Sequence, residues 1–243
     1  MNVQRSPFAR KLGTYIDLSE PELQVLASLH GRRTSYNSGI GLVHQGQTDH
    51  QAYVLAEGWA CSYRLLPSGG RQIVDFQVPG DFLGLRSVLF RTAGQCVEPV
   101  TKVQASRIGA NDLMEVFARN PRLGTALLWA ASRDDAMVVE HMVGIGRRSA
   151  AERTAHLLLE LGARLTLVGL GTKAGYDCPL SQYLLADALG LSAVHVNRVL
   201  RDLREEKLVT FRNGRVDLTD FNGLVALANF DRDYLDHKEA LPN

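Results

Sequence analysis

The chain has 243 residues, 45% of them hydrophobic and 22% charged, and a formal net charge of +1. That length supports one large domain or two modest ones, each with its own core, and the composition excludes a disordered or fibrous protein. A total charge near zero leaves nucleic-acid binding to a local basic patch and excludes a uniformly basic chain. Cys61, Cys96 and Cys178 are few, odd in number and far apart, with no CxxC pair. They fit neither a secreted disulfide framework nor a zinc site, and small buried hydrophobes are expected instead. No charged-then-apolar leader and no run of about 18 apolar residues is present. A cytoplasmic protein with no membrane partner is expected.

After a polar leader, Ser19 followed by Glu22 forms a capping-box pattern ahead of Leu23, Leu26 and Leu29, which starts a short helix. From Arg32 to Ile108 short alternating stretches are punctuated by glycine pairs and by Pro79-Gly80-Asp81. Period-two patterning of this kind predicts an antiparallel roll, with Ser68-Gly69-Gly70 at a hairpin tip. Asn111 is the expected cap of the next helix, and Pro121 opens a longer one running to about Gly144. Along it Leu127, Ala130, Asp134, Met137 and His141 recur at alternating three- and four-residue steps. This stripe fits a heptad-like dimer seam. A helix lying on its own roll would show the same pattern, and the two readings are compatible because a helix has two usable faces. Gly144 and Gly146 predict a hinge, Ser149 caps a helix reaching about Leu167, and GLGTKAGYDCP reads as a loop.

The strongest local signal is QYLLADALGLSAVHVNRVLR, residues 182–201. A helix-turn-helix needs a small residue at the helix crossing, which is Ala186, and a residue tolerant of positive φ in the turn, which is Gly190. Leu185, Leu189, Leu191, Val196 and Val199 bracket the turn, while Ser181 and Ser192 serve as N-caps. The second helix then offers Ser192, Ala193, Val194, His195, Asn197, Arg198 and Arg201 as DNA-binding residues, because recognition helices read base edges with their N-terminal part. Arg198 suits a bidentate contact to guanine O6 and N7, Asn197 suits adenine, and Val194 suits a thymine methyl. Asn213-Gly214 between two short strands reads as a hairpin wing whose Arg212 and Arg215 would meet phosphates. Arg204 and Lys207 extend the basic footprint that the whole-chain charge conceals.

In this order the Gly-punctuated roll, the PGDFLG stretch (79–84), the Asn120-Pro121 helix and the helix-turn-helix ending in Arg198 resemble the family of the cyclic-AMP receptor protein and FNR (Crp/Fnr). The resemblance covers about residues 18–220. It implies an α+β protein with an N-terminal antiparallel β-roll of the cyclic-nucleotide-binding type (1–120), a dimerisation helix and hinge (121–146) and a C-terminal winged helix-turn-helix (147–243). It further implies a bacterial homodimeric transcription regulator that binds near-palindromic double-stranded DNA and contacts RNA polymerase. The effector pocket would comprise Gly84, Leu85, Arg86, Ser87, Cys96, Val97, Val138 and Val139. Here the chain departs from its cyclic-nucleotide-binding relatives. Leu85 stands where they carry Glu, Cys96-Val97 replace the phosphate-binding Arg pair, and Val138-Val139 replace the hydroxyl residues at the adenine. A phosphodiester would lose its main charge-assisted partner, so independence from cyclic AMP is expected.

No cysteine precedes Cys61, which argues against the FNR iron–sulfur cluster. His44, His50 and His141 each stand alone and read as hydrogen-bonded bystanders, not haem ligands. No cofactor and no metal are expected. Val194 replaces the acidic residue that reads cytosine in well-known members, so the half-site differs while the Arg198 contact is kept. GLGTKAG lacks the Gly-Lys-Ser/Thr ending of a phosphate loop, HExxH and GxSxG are missing, and Asp134-Asp135 reads as a solvated or seam pair. An enzyme is therefore not expected. The signal stays open between an effector-free regulator and a small apolar or redox effector acting through Cys96 or Cys178.

Overall fold

Two antiparallel sheets build the N-terminal roll of this computed structural model, which describes residues 6–235, the Ser87 side chain excepted. Strands β1 (Arg33–Tyr36), β2 (Ala52–Glu57), β5 (Phe82–Leu83) and β7 (Val103–Ile108) pair in the order β1-β7-β2-β5. Strands β3 (Ala60–Leu65), β4 (Arg71–Gln77) and β6 (Cys96–Pro99) pair as β4-β3-β6. Two glycines carry the tight turns. Gly58 has φ 85°, and a Cβ there would collide with the Lys102 carbonyl. Gly69 has φ 84° at the tip of the β3–β4 hairpin, closed by a 2.8 Å bond from the Leu66 N–H to the Gly70 carbonyl. Both are conformations that L side chains avoid.

Helix α2 (Glu20–Gly31) begins at the expected capping box, with the Glu22 carboxylate accepting from the Ser19 N–H at 2.8 Å. The leader is less featureless than its sequence suggests. It holds helix α1 (Pro7–Leu12), whose Phe8 and Leu12 are wholly buried and whose Lys11 ion-pairs with Asp81 at 2.9 Å. Helix α3 (Ala110–Arg119) is capped by Gly109, not Asn111, because the Asp112 carboxylate reaches back to the Gly109 N–H at 2.7 Å. Helix α4 (Pro121–Arg147) also runs past the glycines expected to end it. Gly144 and Gly146 keep helical geometry inside the last turns, and the break falls at Arg148-Ser149. Ser149 then caps α5 (Ala150–Leu167) through the Glu152 N–H.

The C-terminal part comprises α6 (Gln182–Leu189), α7 (Ala193–Glu205), α8 (Phe221–Ala228) and a four-stranded sheet. The stretch expected as a loop contributes β8 (Gly171–Thr172) and β9 (Gly175–Asp177) to it. With β10 (Thr210–Arg212) and β11 (Arg215–Asp217) the order is β10-β11-β9-β8. Among the described residues no helix is long and apolar enough to cross a membrane.

The phase of α4 corrects the seam. Leu127, Ala130, Asp134 and Met137 are buried within their own protomer, and His141 bridges the Val74 carbonyl and Glu160. Leu127 and Ala130 join Phe8, Leu26 and Phe82 in one core cluster. The stripe left outward lies one residue further round, with Leu128, Val139 and Met142 exposed. Spacing fixes the period of a helical stripe but not which of two adjacent stripes meets the body.

A buried ionic joint ties the two halves together. Arg164 on α5 reaches Asp81 at 2.7 Å, Asp75 at 3.1 Å, Glu160 at 3.4 Å and the Phe76 carbonyl at 2.7 Å. Glu160 also accepts from the Tyr234 hydroxyl at 2.8 Å. On the outer side of this joint, Arg71 pairs with Asp187 at 2.7 Å and the Gln72 amide donates to the Ala188 carbonyl at 3.0 Å. The β4 strand is thus latched onto α6.

Candidate nucleic-acid interface and roll cavity

Local chemistry sets the pitch of α7. Gly190 ends α6 in the left-handed region, φ 62°, with its N–H and that of Leu191 returning to the Ala186 carbonyl. Ser181 accepts from the Leu184 N–H at 3.3 Å and Ser192 from the His195 N–H at 3.2 Å, so both helices start on the caps the sequence promised. Leu185, Ala186, Leu189, Val196, Val199, Leu200 and Leu203 are buried and hold the two helices together. The opposite face of α7 is turned outward. Ser192, Asn197, Arg198 and Arg201 are exposed, Val194 is 82% exposed, and Ala193 and His195 are half-buried at the rim.

The arginines of this surface are not equivalent. Among the described residues Arg198 and Arg212 have no ion-pair partner, whereas Arg201 lies 3.5 Å from Asp202 and 3.8 Å from Glu205. Arg215 is held by Asp217 at 2.8 Å and Asp177 at 3.0 Å, which raises its pKa above the ordinary guanidinium value. An anion approaching Arg215 must compete with two carboxylates, which the sequence could not show because Asp177 arrives from β9. The wing turns at Asn213, φ 52°, and Gly214, φ 73°. Those two positive φ values match the type I′ hairpin that Asn-Gly favours.

A cavity of about 340 Å³ opens between the roll and α4. Of the residues expected there, Gly84, Leu85, Arg86 and Val97 line it. Cys96 is buried and accepts from the Gln45 N–H, Val139 is exposed and Val138 half-buried on α4, and none of the three lines the cavity. The Ser87 side chain lies outside the described residues. Asp75, Gln77 and Asp134, which the sequence did not single out, complete the wall. Burial, with Asp81 and Asp75 nearby, pushes the Asp134 carboxyl up against the pull of Lys11. Arg86 is already engaged, donating to the Asp134 carbonyl at 2.8 Å and pairing with Asp135 at 3.3 Å. Burial also pushes the Cys178 thiol up to about 12, opposite to what a reactive thiolate needs.

Two family models match the chain: a cyclic nucleotide-binding domain over residues 33–120 and a Crp-like helix-turn-helix domain over residues 152–227. The nitrogen fixation regulation protein FixK of Bradyrhizobium diazoefficiens is 33% identical over 200 residues, covering 82% of each chain. The chain belongs to the Crp/Fnr family. Another Crp/Fnr relative, the transcriptional activatory protein AadR of Rhodopseudomonas palustris, is 30% identical over 79% of this chain and 80% of its own. Among solved structures, FixK2 of Bradyrhizobium japonicum superposes with a TM-score of 0.72 at 25% identity, over 80% of this chain and 96% of that one. These relatives are transcription regulators, and this Crp/Fnr chain is a DNA-binding transcription regulator in which α6 and α7 form the helix-turn-helix.

Proposed function

We propose that the chain binds near-palindromic double-stranded DNA as a homodimer and takes no cyclic AMP. The observation carrying this reading is the exposed Asn197–Arg198 face, rooted by buried Val196 and Val199 and free of ion-pair partners at Arg198 among the described residues. Residues 192–201 enter the major groove, with Arg198 bidentate on guanine, Asn197 on adenine and Val194 against a thymine methyl. Arg212 fixes the wing on a phosphate, and Arg215 adds less because Asp177 and Asp217 hold it.

The second copy packs on the outer α4 stripe of Leu128, Val139 and Met142. Residues 1–120 act as the sensory unit, 121–146 as the dimerisation element and 147–243 as the DNA-binding unit; residues 1–5 and 236–243 lie outside the described residues. The roll cavity, walled by Asp75 and Asp134 with Arg86 already engaged, offers a phosphodiester no free cation. RNA polymerase is the onward partner and the cytoplasm the setting that the family implies.

Selection of bound sequences from random DNA tests this reading. The expected product is a palindrome with half-sites about 34 Å apart, one helical turn, enriched equally with and without cyclic AMP. A non-palindromic product, or enrichment only with cyclic AMP, would overturn it.

A further inference from the structure

A second cavity, of about 200 Å³, lies outside the roll, where α4, α5, α8 and residues 230–235 meet. Its walls divide cleanly by chemistry. Leu159, Phe221 and Phe230 supply apolar surface, while Arg133, Lys173 and Arg232 supply cations, and no carboxylate lines it. Arg133 is the unusual member. It is only 2% exposed, and its Nε and Nη1 find no hydrogen-bond partner. Its guanidinium lies 5.8 Å over the Trp129 ring.

The nearest candidate partners are engaged elsewhere. Asp81 is taken by Lys11 and Arg164, and Lys11 lies 3.7 Å from Asp134. Burial pulls the Arg133 pKa below the ordinary guanidinium value, as expected of a cation held without a carboxylate in contact. An unsatisfied buried guanidinium is costly, and a cavity beside it gives room for the missing acceptor.

We propose that this cavity binds a small organic carboxylate, with its anion on Arg133 and its apolar body against Leu159, Phe221 and Phe230. The volume is below the range usual for drug-sized ligands, so the ligand is compact: a single-ring aryl carboxylate or a short-chain fatty acid. Paired guanidinium–carboxylate bonds give the polar end its selectivity. The site is distinct from the roll cavity and does not depend on the DNA-binding reading.

Calorimetric titration of the full chain with benzoate and hexanoate, against benzamide and hexanol, tests the proposal. At least one carboxylate should bind, and at least tenfold more tightly than its neutral counterpart. Arg133→Gln should weaken that carboxylate at least tenfold. Ala163→Leu, which fills the cavity and leaves every cation in place, should abolish binding, with thermal melts confirming that both variants fold. Equal affinity for acid and neutral probe, no carboxylate binding, or binding unchanged in both variants would overturn the proposal. So would binding only to a chain ending at Leu235, since Asp236 or Glu239 of the chain itself would then be the occupant.

Discussion

Arginine does opposite work at the two ends of this molecule. On α7 and the wing, Arg198 and Arg212 project into solvent, and among the described residues no carboxylate pairs with them. At the joint between the roll and α5, Arg164 is sealed from water and surrounded by Asp75, Asp81 and Glu160. An exposed guanidinium without a partner is cheap and available for a ligand, whereas a buried one must be neutralised by the protein itself. The same side chain is therefore a reader in one place and a rivet in the other, and partners distinguish the two better than burial alone.

Four substitutions break or sharpen this contrast. Arg164→Met leaves three buried carboxylates short of a cation, and urea denaturation should show a loss of about 3–5 kcal/mol. A loss below about 1 kcal/mol would mean that the joint does not hold the halves together.

Next comes His141→Gln. Although burial alone would lower the His141 pKa, the Glu160 carboxylate raises it to about 9, and His141 with Arg164 holds Glu160 down to about 2. A raised histidine contributes stability that is complete below its unfolded value, 6.5, and fades as pH rises through about 9. The stability advantage of wild type over the variant should shrink by about 2–3 kcal/mol across that window. An advantage that stays flat would remove His141 from the joint.

Arg198→Ala should cost about 1–3 kcal/mol of DNA affinity and relax preference at one base pair, while leaving stability within about 0.5 kcal/mol. Gel shifts against the selected site and its single-base variants measure the first, and melts measure the second. The smallest effect separates the two wing arginines. Arg212→Ala should lower the slope of log affinity against log salt by about one, and Arg215→Ala should change it less because Asp177 and Asp217 already neutralise it. Equal slopes for both variants would mean that those carboxylates release Arg215 on DNA.

The helix-turn-helix was legible because its constraints are local. Gly190, Ser181, Ser192 and the buried Val196 and Val199 all lie within one short window, and each took the expected role. Features set by distant contacts were not legible. Helix α1 is six residues long and is held by Lys11 reaching Asp81, seventy positions away. The acidic wall of the roll cavity joins β4 to α4, and Asp177 finds Arg215 only because β9 pairs with β11. Gly144 and Gly146 misled because a glycine in a helix weakens it without ending it when neighbours hold the turn. Here Arg148 returns to the Glu140 carboxylate at 2.7 Å and Arg153 to the Ile145 carbonyl at 3.1 Å.

That unbroken α4 has a mechanical meaning. Twenty-seven residues make a rod of roughly 40 Å, and with no soft point along it a twist applied beside the roll reaches the far end undiminished. All compliance is then gathered at the single junction of Arg148 and Ser149. One residue inserted there would turn the DNA-reading head by about 100°, enough to aim α7 away from any groove its twin could share.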